Sequence, residues 1–238
     1  MIGCTCEVCS SNDVKDKRLR SSILVNSNVT SFVIDTTPDF RYQMLREEVM
    51  SLDAVLYTHL HKDHIAGLDD IRAYNFFSQK PMEIYASLAT QEALRREFSY
   101  IFTDKKYPGI PKVNLNLIAE NRFMVGDIEV IPIKVMHLHM PVLGFRIGEF
   151  TYITDANYIS ELEMEKIIGS KVVVLNALRK EKHISHFSLS EAEAVANHLE
   201  VEQTYLTHIS HQLGKHSVVN AELPSNIQLA YDGLKIVF

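Results

Sequence analysis

Directly behind the apolar stretch DAVLYT (53–58) comes Thr58-His59-Leu60-His61-Lys62-Asp63-His64, which packs four metal-affine side chains into His59 to His64. The stretch is predicted to be a short buried strand, so His59 and His61, two residues apart, point to one side and can share an ion. A chain that then bends toward a helix opening near Gly67 turns Asp63 and His64 from that ion to a neighbouring one. Imidazole nitrogen and carboxylate oxygen suit zinc, manganese or iron, and a catalytic site keeps one position open for water. A chance grouping of core or surface histidines would rarely keep this order and spacing.

The rest of the chain alternates strands and helices. SSILVN and SFVIDT read as a hairpin turning at Asn26 to Asn28; Asp39 to Glu48 and Leu68 to Phe77 read as helices; a strand lies near Met82 to Tyr85; and a helix starts behind the Ser87 N-cap. Beyond a Pro/Gly-rich loop at Tyr107 to Pro111 come VNLNLI, RFMV, IEVIPIKV, VLGFRI and FTYITD, with tight turns at Gly126-Asp127 and Gly148-Glu149. A helix at Ile159 to Ile168, the strand KVVVLN, a helix at Ser188 to Leu199, the strand QTYLTH and a closing strand near Leu234 to Phe238 follow. This order predicts an α/β protein, a four-layer αββα sandwich with two sheets inside and helices outside, and one domain over 1–238 with no linker.

The formal net charge of −6 disfavours a long polyanion as ligand, so nucleic acid is not an expected partner, although a metal centre can still take one small phosphate ester. No apolar run is long enough for a membrane span and MIGCTCEVCSSNDVKDK has no apolar signal region, so a cytoplasmic protein is expected. All three cysteines, Cys4, Cys6 and Cys9, crowd together in that segment; in a reducing compartment such a set points to a metal rather than to disulfides. Three thiolates leave one position of a tetrahedral ion for a ligand from elsewhere.

At His59 to His64 the chain resembles the metallo-β-lactamase superfamily, and the resemblance extends over nearly its whole length. It implies the metallo-β-lactamase fold and a hydrolase with two catalytic divalent ions, zinc or manganese. The next ligand implied is a His after a strand. VMHLHMPVLGFRI offers His137 or His139, which spacing alone does not separate; the Gly-Phe-Arg turn that follows resembles the phosphodiesterase branch and favours His137. The resemblance further implies Asp155, in FTYITDANY, as a ligand shared by both ions, and His208, in TYLTHISH, as the last. The implied arrangement is His59, His61 and His137 on one ion and Asp63, His64 and His208 on the other.

CxCxxC at the N-terminus resembles the PhnP-like part of this branch, which includes the phosphodiesterase of phosphonate breakdown that cleaves a cyclic ribose phosphate. That likeness implies His211 as the fourth ligand of Cys4, Cys6 and Cys9, closing a structural zinc site that anchors residues 1–17. It also implies His186, in EKHISHFSLSEA, as the catalytic histidine that protonates the leaving oxygen, a task suited to a positioned imidazole. Asp63 is counted with His186 as catalytic. Arg179, Lys180, Lys182 and Arg41 are candidates for holding a non-reacting phosphate. His139 and His183 are additional histidines next to the implied site, with no role assigned.

The function expected from all this is a dinuclear phosphodiesterase acting on a small phosphate diester, cyclic ribose phosphates among the candidates, with a homodimer as the expected assembly. Hydrolysis of a thioester, lactone or β-lactam is the alternative, since the same activated water attacks carbonyl carbon. A tRNA 3′-end nuclease is disfavoured by the charge and by the absence of a long Gly/Lys-rich insertion.

Overall fold

Runs of two to ten residues rich in Val, Ile, Leu and Phe become strands here, because β-branched and aromatic side chains pack well on a pleated surface. The computed structural model describes residues 1–103 and 107–238. They divide into two compact units, Arg20–Pro132 and a second made of Met1–Leu19 with Ile133–Phe238.

Arg20–Pro132 begins with the hairpin of β1 (Ile23–Asn26) and β2 (Ser31–Ile34), in register Ile23 against Ile34. There follow α1 (Phe40–Arg46), β3 (Ala54–Leu56), the single-turn helix α2 (Lys62–Ile65), α3 (Arg72–Ser78), β4 (Met82–Ala86), α4 (Leu88–Glu97) and β5 (Val113–Leu117). The five strands lie in the order β1-β2-β3-β4-β5, parallel from β2 onward. The side chain of Ser87 accepts from Thr90 N and caps α4, as expected from its position. The expected helix over Leu68 to Phe77 is a 3-10 turn, Leu68–Ile71, running into α3. Gly67 separates α2 from that turn; a Cβ there would come 2.3 Å from Thr37 O and 2.7 Å from Phe40 Cβ, so only glycine fits. Val33, Phe40, Val55, Ile65, Leu68, Ile71, Ile84 and Leu94 form this unit's buried core. The hairpin of β6 (Phe123–Val125) with the start of β7 (Ile128–His137) closes the unit around Gly126, whose φ of 58° suits a residue without a Cβ.

The second unit takes up β7 from Ile133 and continues with β8 (Met140–Ile147), β9 (Phe150–Tyr152), β10 (Tyr158–Ile159), α5 (Glu161–Ile167), β11 (Val172–Asn176), α6 (Leu189–Leu199), β12 (Gln203–Thr207), α7 (His216–Glu222) and β13 (Ile227–Leu229). The strand order is β10-β7-β8-β9-β11-β12-β13, and β9, β11, β12 and β13 run parallel. Ser160 caps α5, and Ser188 with Glu191 forms a capping box on α6. Ile133, Val135, Ile153, Val173, Leu175, Ala196, Leu206 and Val219 lie in its core.

The closing strand expected at Leu234 to Phe238 is not formed. The last strand is β13, where Ile227 and Leu229 are buried and Gln228 is exposed, paired to β12 through Thr204 against Ile227. Phe238 instead stacks on Phe150 with ring centroids 4.9 Å apart. Among the described residues no helix is long and apolar enough to cross a membrane.

Candidate metal centre

In the first unit, the candidate residues gather at the carboxyl ends of adjacent parallel strands, where chain ends and turns leave side chains free to converge. β2 runs into Asp35 and β3 into Thr58 and His59, while α2 carries Asp63 and His64 behind the N-cap His61. Asp35 is fully buried and has a left-handed backbone, φ 68°. Its carboxylate accepts from Thr58 N at 2.9 Å, from Thr58 Oγ1 at 2.8 Å and from His64 Nδ1 at 2.7 Å. Burial pushes the Asp35 carboxyl up, and the neighbouring His64 and the Thr58 donors oppose that rise.

The proton positions follow from these contacts. Thr58 spends its one hydroxyl proton on Asp35, so Thr58 Oγ1 accepts from His59 Nδ1, 3.0 Å away. His64 gives its Nδ1 proton to Asp35. In the neutral form of either ring Nε2 therefore carries the lone pair. The His59 ring is 4.7 Å from that of His61 and 4.2 Å from that of His64, and His59 Nε2 lies 3.0 Å from His61 Nδ1. Asp63 Oδ2 sits 3.7 Å from His64 Nε2 and 3.7 Å from the guanidinium of the largely exposed Arg20.

The second unit repeats the device. Asp155 follows β9, Asn176 ends β11 and His208 follows β12, three neighbouring parallel strands. Asp155 and His208 both have left-handed backbones, φ 56° and 52°. Asn176 braces the Asp155 turn by accepting from Ala156 N at 2.7 Å and donating to Ala156 O at 2.9 Å. Asp155 Oδ1 lies 3.0 Å from His186 Nε2 and 3.2 Å from His208 Nε2, and Thr154 Oγ1 donates to Asp155 Oδ2 at 2.7 Å. His137 ends β7, buried, and donates from Nδ1 to Ser185 O at 2.7 Å, so its Nε2 carries the lone pair. Burial holds His137 below the usual histidine range, the Ser185 carbonyl opposing. One donor atom each from His137, Asp155 and His186 lie mutually within 4.8 Å. His139 is exposed in the turn after β7, where Leu138 takes the left-handed conformation.

A ligating histidine normally hands its other ring N–H to a carboxylate, hydroxyl or carbonyl, which orients the ring and raises its basicity. His59, His64 and His137 each do so, through Thr58, Asp35 and Ser185. The donor chemistry of both sets thus fits divalent transition metals.

The cysteine segment folds onto His211. Cys4 Sγ and Cys6 Sγ lie 3.5 and 3.4 Å from His211 Nδ1, and the four donor atoms of Cys4, Cys6, Cys9 and His211 are mutually within 4.8 Å. Ligands on one tetrahedral zinc stand about 3.5 Å apart, so the set fits that ion. The Cys6 thiol is pushed down to about 6, first by the Cys9 backbone N–H and then by His211. All three cysteines are free thiols.

Asp35 and Asn176 do not figure in the sequence-based site. An Asp closing the apolar strand SFVI is the one signal that could have drawn attention to Asp35; Asn176 has none. Arg179, a candidate for phosphate, spends its guanidinium on Glu181 O, Lys182 O and Gln212 Oε1. Lys180 pairs with Glu222, and Lys182 with Glu191. Arg41 is exposed on α1.

The beta-lactamase superfamily domain family matches residues 30–209. The chain is 39% identical to a solved structure described as a new diphosphatase from the PhnP family, with a TM-score of 0.93 over 100% of this chain and 91% of that one. It is 35% identical over 239 residues to the octanoyltransferase of Porphyromonas gingivalis (strain ATCC BAA-308 / W83), covering 99% of this chain and 48% of that protein. The chain thus spans about half the length of this curated relative, and the name octanoyltransferase describes the longer protein. Zinc-bound PqqB from Methylobacterium extorquens is 18% identical with a TM-score of 0.78 over 100% of this chain and 95% of that one, a likeness of fold. The two-sheet α/β architecture is the metallo-β-lactamase fold.

Proposed function

The chain belongs to the beta-lactamase superfamily domain family, as a PhnP-like member, and on that footing we propose that it is a metal-dependent hydrolase of small phosphate diesters, cyclic ribose phosphates among them. One observation carries the choice of phosphorus over carbonyl carbon: identity of 39% across the full chain with a PhnP-family diphosphatase. The low-identity likenesses speak only to fold.

His59, His61, Asp63 and His64 in one unit and His137, Asp155 and His208 in the other are proposed to hold two zinc or manganese ions, His59, His61 and His137 serving one, Asp63, His64 and His208 the other, and Asp155 both. The Nδ1 hydrogen bonds of His59, His64 and His137 support this, since they leave Nε2 as the nitrogen that would take a metal. When bound, such a pair makes water acidic enough to attack at neutral pH and neutralises phosphoryl oxygens. The chain's own part is to position and to move a proton. His186 holds a proton on Nε2, beside Asp155, and supplies it to the leaving oxygen as the P–O bond breaks, leaving a phosphomonoester and an alcohol. Asp63 is the second catalytic residue in this proposal. Cys4, Cys6, Cys9 and His211 are proposed to hold a structural zinc that ties down the first 17 residues.

Purified protein loaded with manganese or zinc is expected to cleave bis(p-nitrophenyl) phosphate and ribose cyclic phosphates. Turnover of thioesters or lactams with none of phosphodiesters would overturn the assignment. An anomalous-scattering map is expected to show metal at both donor sets. A homodimer and a cytoplasmic location complete the proposal, checked by light scattering and by cell fractionation.

A further inference from the structure

The segment between β11 and α6 carries two histidines, and one of them, His183, has no part in the ligand sets or in proton transfer as described above. It lies close to His186: the two Nδ1 atoms are 3.2 Å apart and the rings 5.1 Å, tilted by 60°. Ser185 stands between them, its Oγ 3.3 Å from His183 Nδ1 and 3.1 Å from His186 Nδ1.

One contact decides which nitrogen bears which proton. Ser185 N donates to His183 Nδ1 at 3.3 Å, and a backbone N–H can only donate, so His183 Nδ1 carries a lone pair and the ring proton is on Nε2. His186 Nδ1 points at that lone pair. Two lone pairs facing at 3.2 Å would repel, whereas an N–H on His186 Nδ1 makes a hydrogen bond. Burial, His186 and Arg179 together keep His183 below the usual histidine range, which preserves its lone pair. At the other edge of the His186 ring, Nε2 is 3.0 Å from Asp155 Oδ1.

We infer that His183 is a positioning residue for His186: its Nδ1 accepts the His186 Nδ1–H, fixes the rotation of that ring and aims Nε2 at the Asp155 side, where the leaving oxygen is to be protonated. The inference rests on the proposed role of His186. A pair of histidines braced through the serine between them turns a loop side chain, otherwise free about two torsions, into a directed one.

Two probes separate positioning from mere structural support. Expulsion of p-nitrophenolate from bis(p-nitrophenyl) phosphate needs little protonation, whereas opening of a ribose cyclic phosphate expels an alkoxide and needs it. His183→Ala is expected to lower kcat on the cyclic phosphate ~10- to 100-fold with KM unchanged, and to alter bis(p-nitrophenyl) phosphate turnover by under about threefold. His183→Asn, whose Oδ1 can accept the same proton, is expected to recover most of the loss. Equal losses on both substrates, or no loss on the cyclic phosphate, would overturn the inference. His186→Ala is the control: if it lacks the same leaving-group selectivity, the proposed acid role fails, and the inference is then decided by nitrogen NMR of histidine-labelled protein, with and without zinc. His183 Nδ1 unprotonated and His186 Nδ1 protonated support the brace; a protonated His183 Nδ1 ends it whatever the kinetics show.

Discussion

Asp35 and His64, 29 residues apart in the chain, meet at 2.7 Å between carboxylate Oδ2 and ring Nδ1, both side chains almost completely shielded from water. The same carboxylate holds Thr58, and through it His59. One buried acid thereby sets the tautomer of two imidazoles in the His59 to His64 segment.

Asp35→Asn keeps the shape but replaces a pure acceptor by a group that also donates. The expected outcome is a loss of metal affinity of about 10- to 100-fold, with the fold intact by circular dichroism. Competition against a chromophoric chelator measures it; unchanged affinity would show that Thr58 and the backbone orient these rings without the carboxylate.

Gly67→Ala puts a Cβ against Thr37 O and Phe40 Cβ, backbone and core atoms that cannot swing aside. A cost of about 1–3 kcal/mol is expected, typical of overpacking. Urea denaturation should show a lower midpoint with an unchanged slope.

Cys6→Ser should release one equivalent of zinc and leave the remaining metal in place. Stability should fall with it, the melting temperature dropping by about 2–4 °C for each kcal/mol lost. Metal analysis and calorimetry on the same sample check both; full zinc content in the variant would remove His211 and its thiol neighbours from the metal inventory.

His216 is buried at the start of α7, where Arg18 Nη2 donates to its Nδ1 at 3.1 Å and its backbone N–H donates to Asp16 at 2.7 Å. Burial foremost, then Arg18 and Lys15, hold the ring below its ordinary value, with Asp13 and Asp16 opposing. The unfolded chain thus binds the proton more readily than the folded one, so stability declines as pH falls below about 6.5 toward the lowered folded value. His216→Gln, which retains an acceptor for Arg18, is expected to flatten that decline by at most about 1.4 kcal/mol per pH unit. Parallel pH profiles of wild type and variant would sink the idea.

The sequence by itself determined what local periodicity can carry. Side chains two apart in an extended chain share a side, so His59 and His61 were legible as a pair; the cysteine spacing marked Cys4, Cys6 and Cys9 as a set; the serine ahead of apolar periodicity at Ser87 announced the cap of α4. Those statements need only the geometry of a few successive residues. Tertiary structure decided the rest, because it depends on which distant segments meet. Whether His137 or His139 turns inward rests on where β7 ends, one being buried at the strand's last residue and the other exposed in the turn. Asp35, Asn176 and His183 acquire their partners only when parallel strands bring their carboxyl ends side by side or a loop folds on itself. The left-handed backbones of Asp35, Asp155 and His208, uncommon for any residue with a Cβ even though Asp and His tolerate them better than most, are held by the packing around them. The last strand was misplaced for the same reason: LKIVF has the right composition, but Ile227–Leu229 has the partner, β12, and a strand exists only where its hydrogen bonds are met.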